Sequence, residues 1–156
     1  MTTDDEERAL EELRYARLVA DYASKNGFSP QRLPPSSYPK HIGAVMADSI
    51  LQAGVNYRTV VQPRIIEILQ YYPNAENFDG VSEVIRNDDL PKFLKWHHFE
   101  KVNRFLNLAD MFQGNAIRTT NDLKKSIVKT DFKEELLSVH GIGRKTVDYM
   151  ANLVGV

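Results

Sequence analysis

The sequence predicts an all-α fold, a compact multi-helix domain that ends in a helical hairpin. Three observations predict it. Apolar residues recur at three- and four-residue spacing through nearly every segment of the 156-residue chain. No stretch alternates apolar and polar with the period of two that marks a half-buried strand. The connections are short and carry Gly, Pro, Asn or Ser, as they do where helices fold back on one another.

The elements follow in order. Residues 4–25 are good helix formers, with Leu10, Leu13, Arg14, Arg17 and Leu18 at helical spacing, and Asn26-Gly27 is a C-cap signal. Residues 28–40 form a Pro/Ser-rich loop, the only candidate linker, so the chain divides into an N-terminal helix and loop (1–40) and a helical domain (41–156). A helix over 41–53 buries Ile42, Val45, Met46, Ser49, Ile50 and Ala53 and is ended by Gly54. The next spans 57–72, and Pro63 suits a first turn that begins near Val61. A short helix over 79–87 follows the turn signal Asn77-Phe78-Asp79-Gly80, and Asp88-Asp89-Leu90-Pro91 opens another. Phe99, Val102, Phe105, Leu106, Ala109 and Phe112 form the apolar stripe of a helix over 99–113, stopped by Gly114. Thr120 or Asn121 caps a helix over 121–129. Asp131 caps one that runs to Val139, with Glu134 completing a capping box. The last helix runs over 143–153.

Composition narrows the function classes. Forty-two per cent hydrophobic and 26% charged is ordinary for a globular protein. No apolar run spans a bilayer and the acidic start is no signal peptide, so the expectation is a soluble intracellular protein of the cytoplasm or nucleoid with no membrane partner. There is no cysteine, which excludes disulfides and thiolate-bound metal in this chain. Net charge is −1, but it is unevenly spread. Residues 1–91 hold 9 Lys/Arg and 14 Asp/Glu, a net of −5, whereas 92–156 hold 11 and 7, a net of +4. The basic C-terminal part is either an electrostatic footprint for phosphates or a fluctuation between two solvated surfaces.

The segment that carries chemistry reads His140-Gly141-Ile142-Gly143-Arg144-Lys145-Thr146. Two glycines flank one apolar residue between two helices. Glycine permits the backbone that ends one helix and starts the next, and it removes side chains that would hold another molecule away. The amides of the new helix's first turn then point outward and bind a phosphate oxygen, helped by the helix dipole. Ile142 plugs the turn into the core. Such contacts place DNA without reading its sequence. A lone Gly-x-Gly would be only a helix–helix turn, but the preceding helix, the apolar plug and the Arg-Lys-Thr sequel all fit the binding reading.

The run from Leu136 through Val139-His140-Gly141-Ile142-Gly143-Arg144-Lys145-Thr146-Val147-Asp148 resembles the hairpin of the endonuclease III-like superfamily of helix-hairpin-helix DNA glycosylases. The likeness is strongest over 131–154 and extends weakly back to 41, through Asp48–Tyr57 and the helix 99–113. Family members usually have Pro at the position of His140. The resemblance implies a glycosylase-type helical fold and double-stranded DNA, damaged or abasic, as the partner. It implies that His140, Gly141, Ile142, Gly143, Arg144 and Thr146 contact DNA. It also implies that Lys145 marks the bifunctional enzymes, which remove a base and then nick the backbone. A neutral amine can attack the sugar C1′ and hold it as a Schiff base. That requires burial or neighbouring cations such as Arg144 to lower the lysine pKa, and a nucleotide turned out of the stack. By the same resemblance Gln52 fills the gap left by the flipped nucleotide, and His97 and His98, in the loop from Lys95, lie near a second wedge. Read from the residues alone, Gln52 is a helix-surface glutamine, His97 and His98 a solvated pair at a helix start, and Trp96 core packing.

The family pattern also needs an aspartate less than two dozen residues past the lysine, to assist departure of the base. Only 11 residues follow Lys145, and Asp148 belongs to the hairpin helix. The expectation is therefore a fragment or a truncated, inactive homologue, an incomplete fold that pairs with a missing C-terminal segment or self-associates. An iron–sulfur cluster would need cysteines beyond Val156, and a monovalent cation fits the hairpin carbonyls around Val139–Ile142. Two readings stand beside the enzyme: a non-catalytic DNA-binding module and a helical protein-interaction domain.

Overall fold

The structure is a computed structural model that describes residues 38–156. The helix expected over 4–25, and all but the last three residues of the loop 28–40, lie outside that range. The described residues are all-helical, with eight α-helices and no strand among them.

Helix α1 (Ile42–Leu51) is the centre of the fold, because all ten of its residues are buried. The sequence pattern showed one buried face, Ser49 included; the structure buries the other side as well, including Asp48. His41 is its N-cap. The His41 Nδ1 accepts the Ala44 N–H at 2.9 Å, which leaves Nε2 to donate to the Tyr72 carbonyl at 2.9 Å. The helix ends at Leu51, so Ala53, expected in the core, is half-exposed instead.

A single wide π-turn (Tyr57–Val61), capped by the Asn56 side chain, leads into α2 (Gln62–Tyr71), with Pro63 in its first turn. A 3₁₀ turn (Pro73–Glu76) then lies against α3 (Phe78–Arg86), which the Asn77 side chain caps. Helix α4 (Leu90–Leu94) starts after Asp89 with Pro91 in its first turn and stops where Lys95 turns left-handed, at φ 48°. Helix α5 (Phe99–Gly114) is the longest of the described helices. Its first residue, Phe99, is 66% exposed and stacks on His98 at 5.3 Å. The apolar stripe therefore meets the core only further along, through Phe105, Leu108 and Phe112. Gly114 is the last helical residue, not the stop. The chain turns at Asn115 and Ala116, the latter at φ 56°.

Two expected caps move by a residue or two. Helix α6 (Thr120–Ser126) is capped by Thr119, which is extended and exchanges bonds with Asp122 in a capping box, so Thr120 is already helical. Helix α7 (Thr130–Ser138) follows Lys129 with no side-chain cap. Asp131 lies inside its first turn, where the dipole favours an acid without any capping bond. Helix α8 (Arg144–Leu153) closes the described chain.

Helix α1 packs against α2, α3, α5 and α8. Phe93 of α4 sits edge-on to both Tyr72 and Phe105, at 4.9 and 6.0 Å. Helix α7 joins through Phe132, next to Phe112 at 6.3 Å, and through Leu136. The large apolar side chains left exposed, Tyr71, Phe99, Val128, Leu137 and Val156, belong to different elements. No described helix is long and apolar enough to cross a membrane.

Candidate functional site

The turn between α7 and α8 is built by its own backbone. Val139 leaves the helical conformation, its N–H bonded to the Leu136 carbonyl at 3.1 Å. The Ile142 N–H then donates to the Val139 carbonyl at 3.0 Å, which closes the turn over Gly141 at φ +86°. Ile142 is 4% exposed and anchors the loop in the core. Gly143 is the N-cap of α8 and offers no side-chain oxygen to the first turn. The first α8 bond runs from the Val147 N–H to the Gly143 carbonyl. The amides of Arg144, Lys145 and Thr146 thus open the helix with no intrahelical acceptor. A Cβ added to Gly143 would touch nothing within 4 Å, so the N-cap itself stands in open space.

The side chains around the turn divide by exposure. His140, Gly141, Gly143, Arg144 and Lys145 are exposed. Thr146 is buried at 8%, with Val147, Tyr149 and Met150 on the side of α8 that meets the core. Lys145 has solvent rather than protein around it, and so does Asp148 one turn on. None of the described residues buries the Lys145 side chain.

Helix α5 supplies cations that no motif along the chain singles out. The Arg104 guanidinium lies directly on Gly141: a Cβ there would sit 2.1 Å from Arg104 Nε. One turn earlier, Lys101 Nζ donates to the Leu51 carbonyl at 2.7 Å and the Ala53 carbonyl at 2.9 Å, closing the C-terminus of α1. Burial, and then the charge of Arg104, lower the Lys101 pKa. Gln52, the C-cap of α1, lies between those two carbonyl residues and donates its side-chain amide to Ser49 at 3.3 Å. Lys101 and Arg104 therefore place the C-terminus of α1 and the turn at Gly141 along one helix.

His97 and His98 are exposed at the start of the same helix, and His98 is its N-cap, accepting from the Glu100 N–H at 3.4 Å. Trp96 is half-buried between two cations, with Lys101 Nζ 4.7 Å and the Arg64 guanidinium carbon 5.6 Å from its ring centre. It is held by cation–π contacts at the rim of the core.

Behind the turn lies a buried polar cluster. Asp48 of α1 is fully buried and accepts three tyrosine hydroxyls: Tyr38 at 2.7 Å, Tyr57 at 2.8 Å and Tyr149 of α8 at 2.5 Å. Burial raises its pKa to about 6, against the lowering pull of the three hydroxyls. The available signal was a single acid inside the apolar run Ile42–Leu51, but spacing does not reveal which residues answer it. Among the described residues, no three His, Asp or Glu side chains gather as a metal site.

The chain matches no family model, no curated protein and no solved structure. Its function therefore rests on the residues themselves.

Proposed function

We propose that this chain binds the backbone of double-stranded DNA through the α7–α8 turn, as part of a DNA glycosylase/AP lyase whose nucleophile is Lys145. One observation carries the reading. The α8 amides left without a side-chain cap, Gly141 and Gly143, and the exposed Arg144 and Lys145 lie together on a turn that Ile142 fixes to the core. Those are the parts that hold a phosphate oxygen without reading bases.

The Lys145 amine would add to the C1′ aldehyde of an opened abasic sugar and lose water to form an imine. The imine makes the C2′ proton acidic. Its removal expels the 3′ phosphate, and hydrolysis returns the free amine. Because Lys145 is exposed, DNA lying over the turn has to supply the desolvation this step needs. A monovalent cation would use the carbonyls between Val139 and Ile142, of which that of Val139 already accepts a hydrogen bond. With no cysteine, the chain has no ligand for an iron–sulfur cluster.

Borohydride trapping on a duplex with a preformed abasic site tests the amine without requiring base removal. Wild type and Lys133→Ala, which removes an exposed lysine of α7, are expected to give a covalent adduct, and Lys145→Ala none. An adduct that survives Lys145→Ala, or no adduct with wild type, sinks the catalytic part. The exposure of Lys145 favours a second reading, a non-catalytic DNA-binding domain. It predicts salt-sensitive duplex binding with no adduct.

A further inference from the structure

We infer that Arg104 is a DNA-phosphate-binding residue of the α7–α8 turn, its guanidinium seated on Gly141, three residues before α8 begins. The inference rests on the DNA-backbone reading above and adds a contact from a different helix.

Three observations carry it. Arg104 is partly buried against the turn, and the absent side chain of Gly141 makes its place: a Cβ there would lie 2.1 Å from Nε, 2.3 Å from the guanidinium carbon and 2.4 Å from Nη2. The Nε is buried with no hydrogen-bond partner, and the guanidinium has no carboxylate partner among the described residues. A guanidinium that only stabilised the fold would be paired, since a buried donor without an acceptor costs stability and returns none. The neighbouring charge has the same sign, because Arg104 is one of the two causes that lower the Lys101 pKa. An uncompensated planar fork with its Nη end open to solvent matches the bidentate geometry of a phosphate oxygen pair. Gly141 lies three residues before Arg144, the first residue of α8, so that fork sits on the turn that opens the helix.

The test is fluorescence anisotropy of a labelled DNA duplex across a KCl series. Arg104→Gln is expected to weaken binding about 5-fold or more at low salt and to flatten the slope of log K against log[KCl] by about one. Arg104→Lys keeps the charge without the fork, so it should keep the slope with weaker affinity. Arg104→Gln with wild-type affinity and slope overturns the inference while Arg144→Gln, weakened in the same assay, leaves the turn reading standing. Wild type that fails to bind at low salt overturns both. Nε-¹⁵N NMR of the wild type gives a readout that does not depend on a variant's folding. The Arg104 signal should move on addition of duplex, and a signal that stays in place through saturation overturns the inference.

Discussion

The Tyr149 hydroxyl donates to Asp48 Oδ1 at 2.5 Å, joining residues 101 positions apart. This bond fixes α8, and with it the exposed turn, to the central helix. Burial first, and then the Asp48 charge, lift the Tyr149 pKa well above the ordinary tyrosine value, so the hydroxyl remains a donor. Tyr149→Phe leaves the buried carboxylate short of one of its three hydroxyls. The expected loss is about 1–3 kcal/mol in urea unfolding. Unchanged stability would mean the bond is not made.

The same carboxylate sets a pH dependence. Its folded pKa is about 6, above the ordinary aspartate value of 3.8. Between those values the folded state holds a proton that the unfolded state has released. Stability is therefore greatest, for this group, below about pH 4 and falls as pH rises toward 6. The full change is roughly 3 kcal/mol, discounted by any residual burial in the unfolded chain. Asp48→Asn should lose this component. Parallel stability–pH curves for wild type and Asp48→Asn between pH 4 and 6 would refute the assignment.

Gly141 and Gly143 differ in what they tolerate. Gly141→Ala puts a Cβ at φ +86° and onto the Arg104 guanidinium. It should cost about 1–3 kcal/mol in thermal or urea unfolding, from left-handed strain and displacement of Arg104. Gly143→Ala, at φ −104° and ψ −178° with open space around it, should stay within about 1 kcal/mol of wild type. Equal losses for the two would show that the turn is not built as described.

Ile142 is the only large apolar side chain in the turn segment 140–146, and it is 4% exposed. Ile142→Ala should cost about 2–4 kcal/mol through the lost burial and the cavity left behind. Leu137→Ala, at a residue of α7 that is 41% exposed, should cost under about 1 kcal/mol. Amide hydrogen exchange should quicken at Ile142 and Val147 in the first variant and not in the second.

Lys101 closes the C-terminus of α1 with two carbonyl bonds and covers the Trp96 ring. Lys101→Met keeps the stem and removes the ammonium. About 1–2 kcal/mol should be lost, less than for a fully buried charged bond because the side chain is partly solvated. Trp96 fluorescence should shift as its cation leaves, and an unchanged spectrum with unchanged stability would count against the contact.

Much of this molecule follows from short-range rules. The helical class, Asn56–Gly114 as a series of short helices, Pro63 and Pro91 in first turns, and the Ile142 plug all follow from spacing, because a side chain's face is set by its own helix. The caps at Thr119 and Lys129 were one or two residues from their expected places, since Thr, Asn and Asp compete for the same role and only the backbone chooses among them. Phe99 matched the apolar period of α5, yet it lies a turn beyond the core it would have joined.

The amino-acid sequence by itself determined the turn over 139–143 and the helix start that follows it, because glycine placement, an apolar plug and a helix start are all local; the exposure of Arg144 and Lys145 came from the tertiary structure. Tertiary structure decided what lies behind and beside that turn. The meeting of Asp48 with Tyr38, Tyr57 and Tyr149, and of Arg104 with Gly141, depends on how α1, α5 and α8 cross, and no spacing along one helix encodes the partner presented by another.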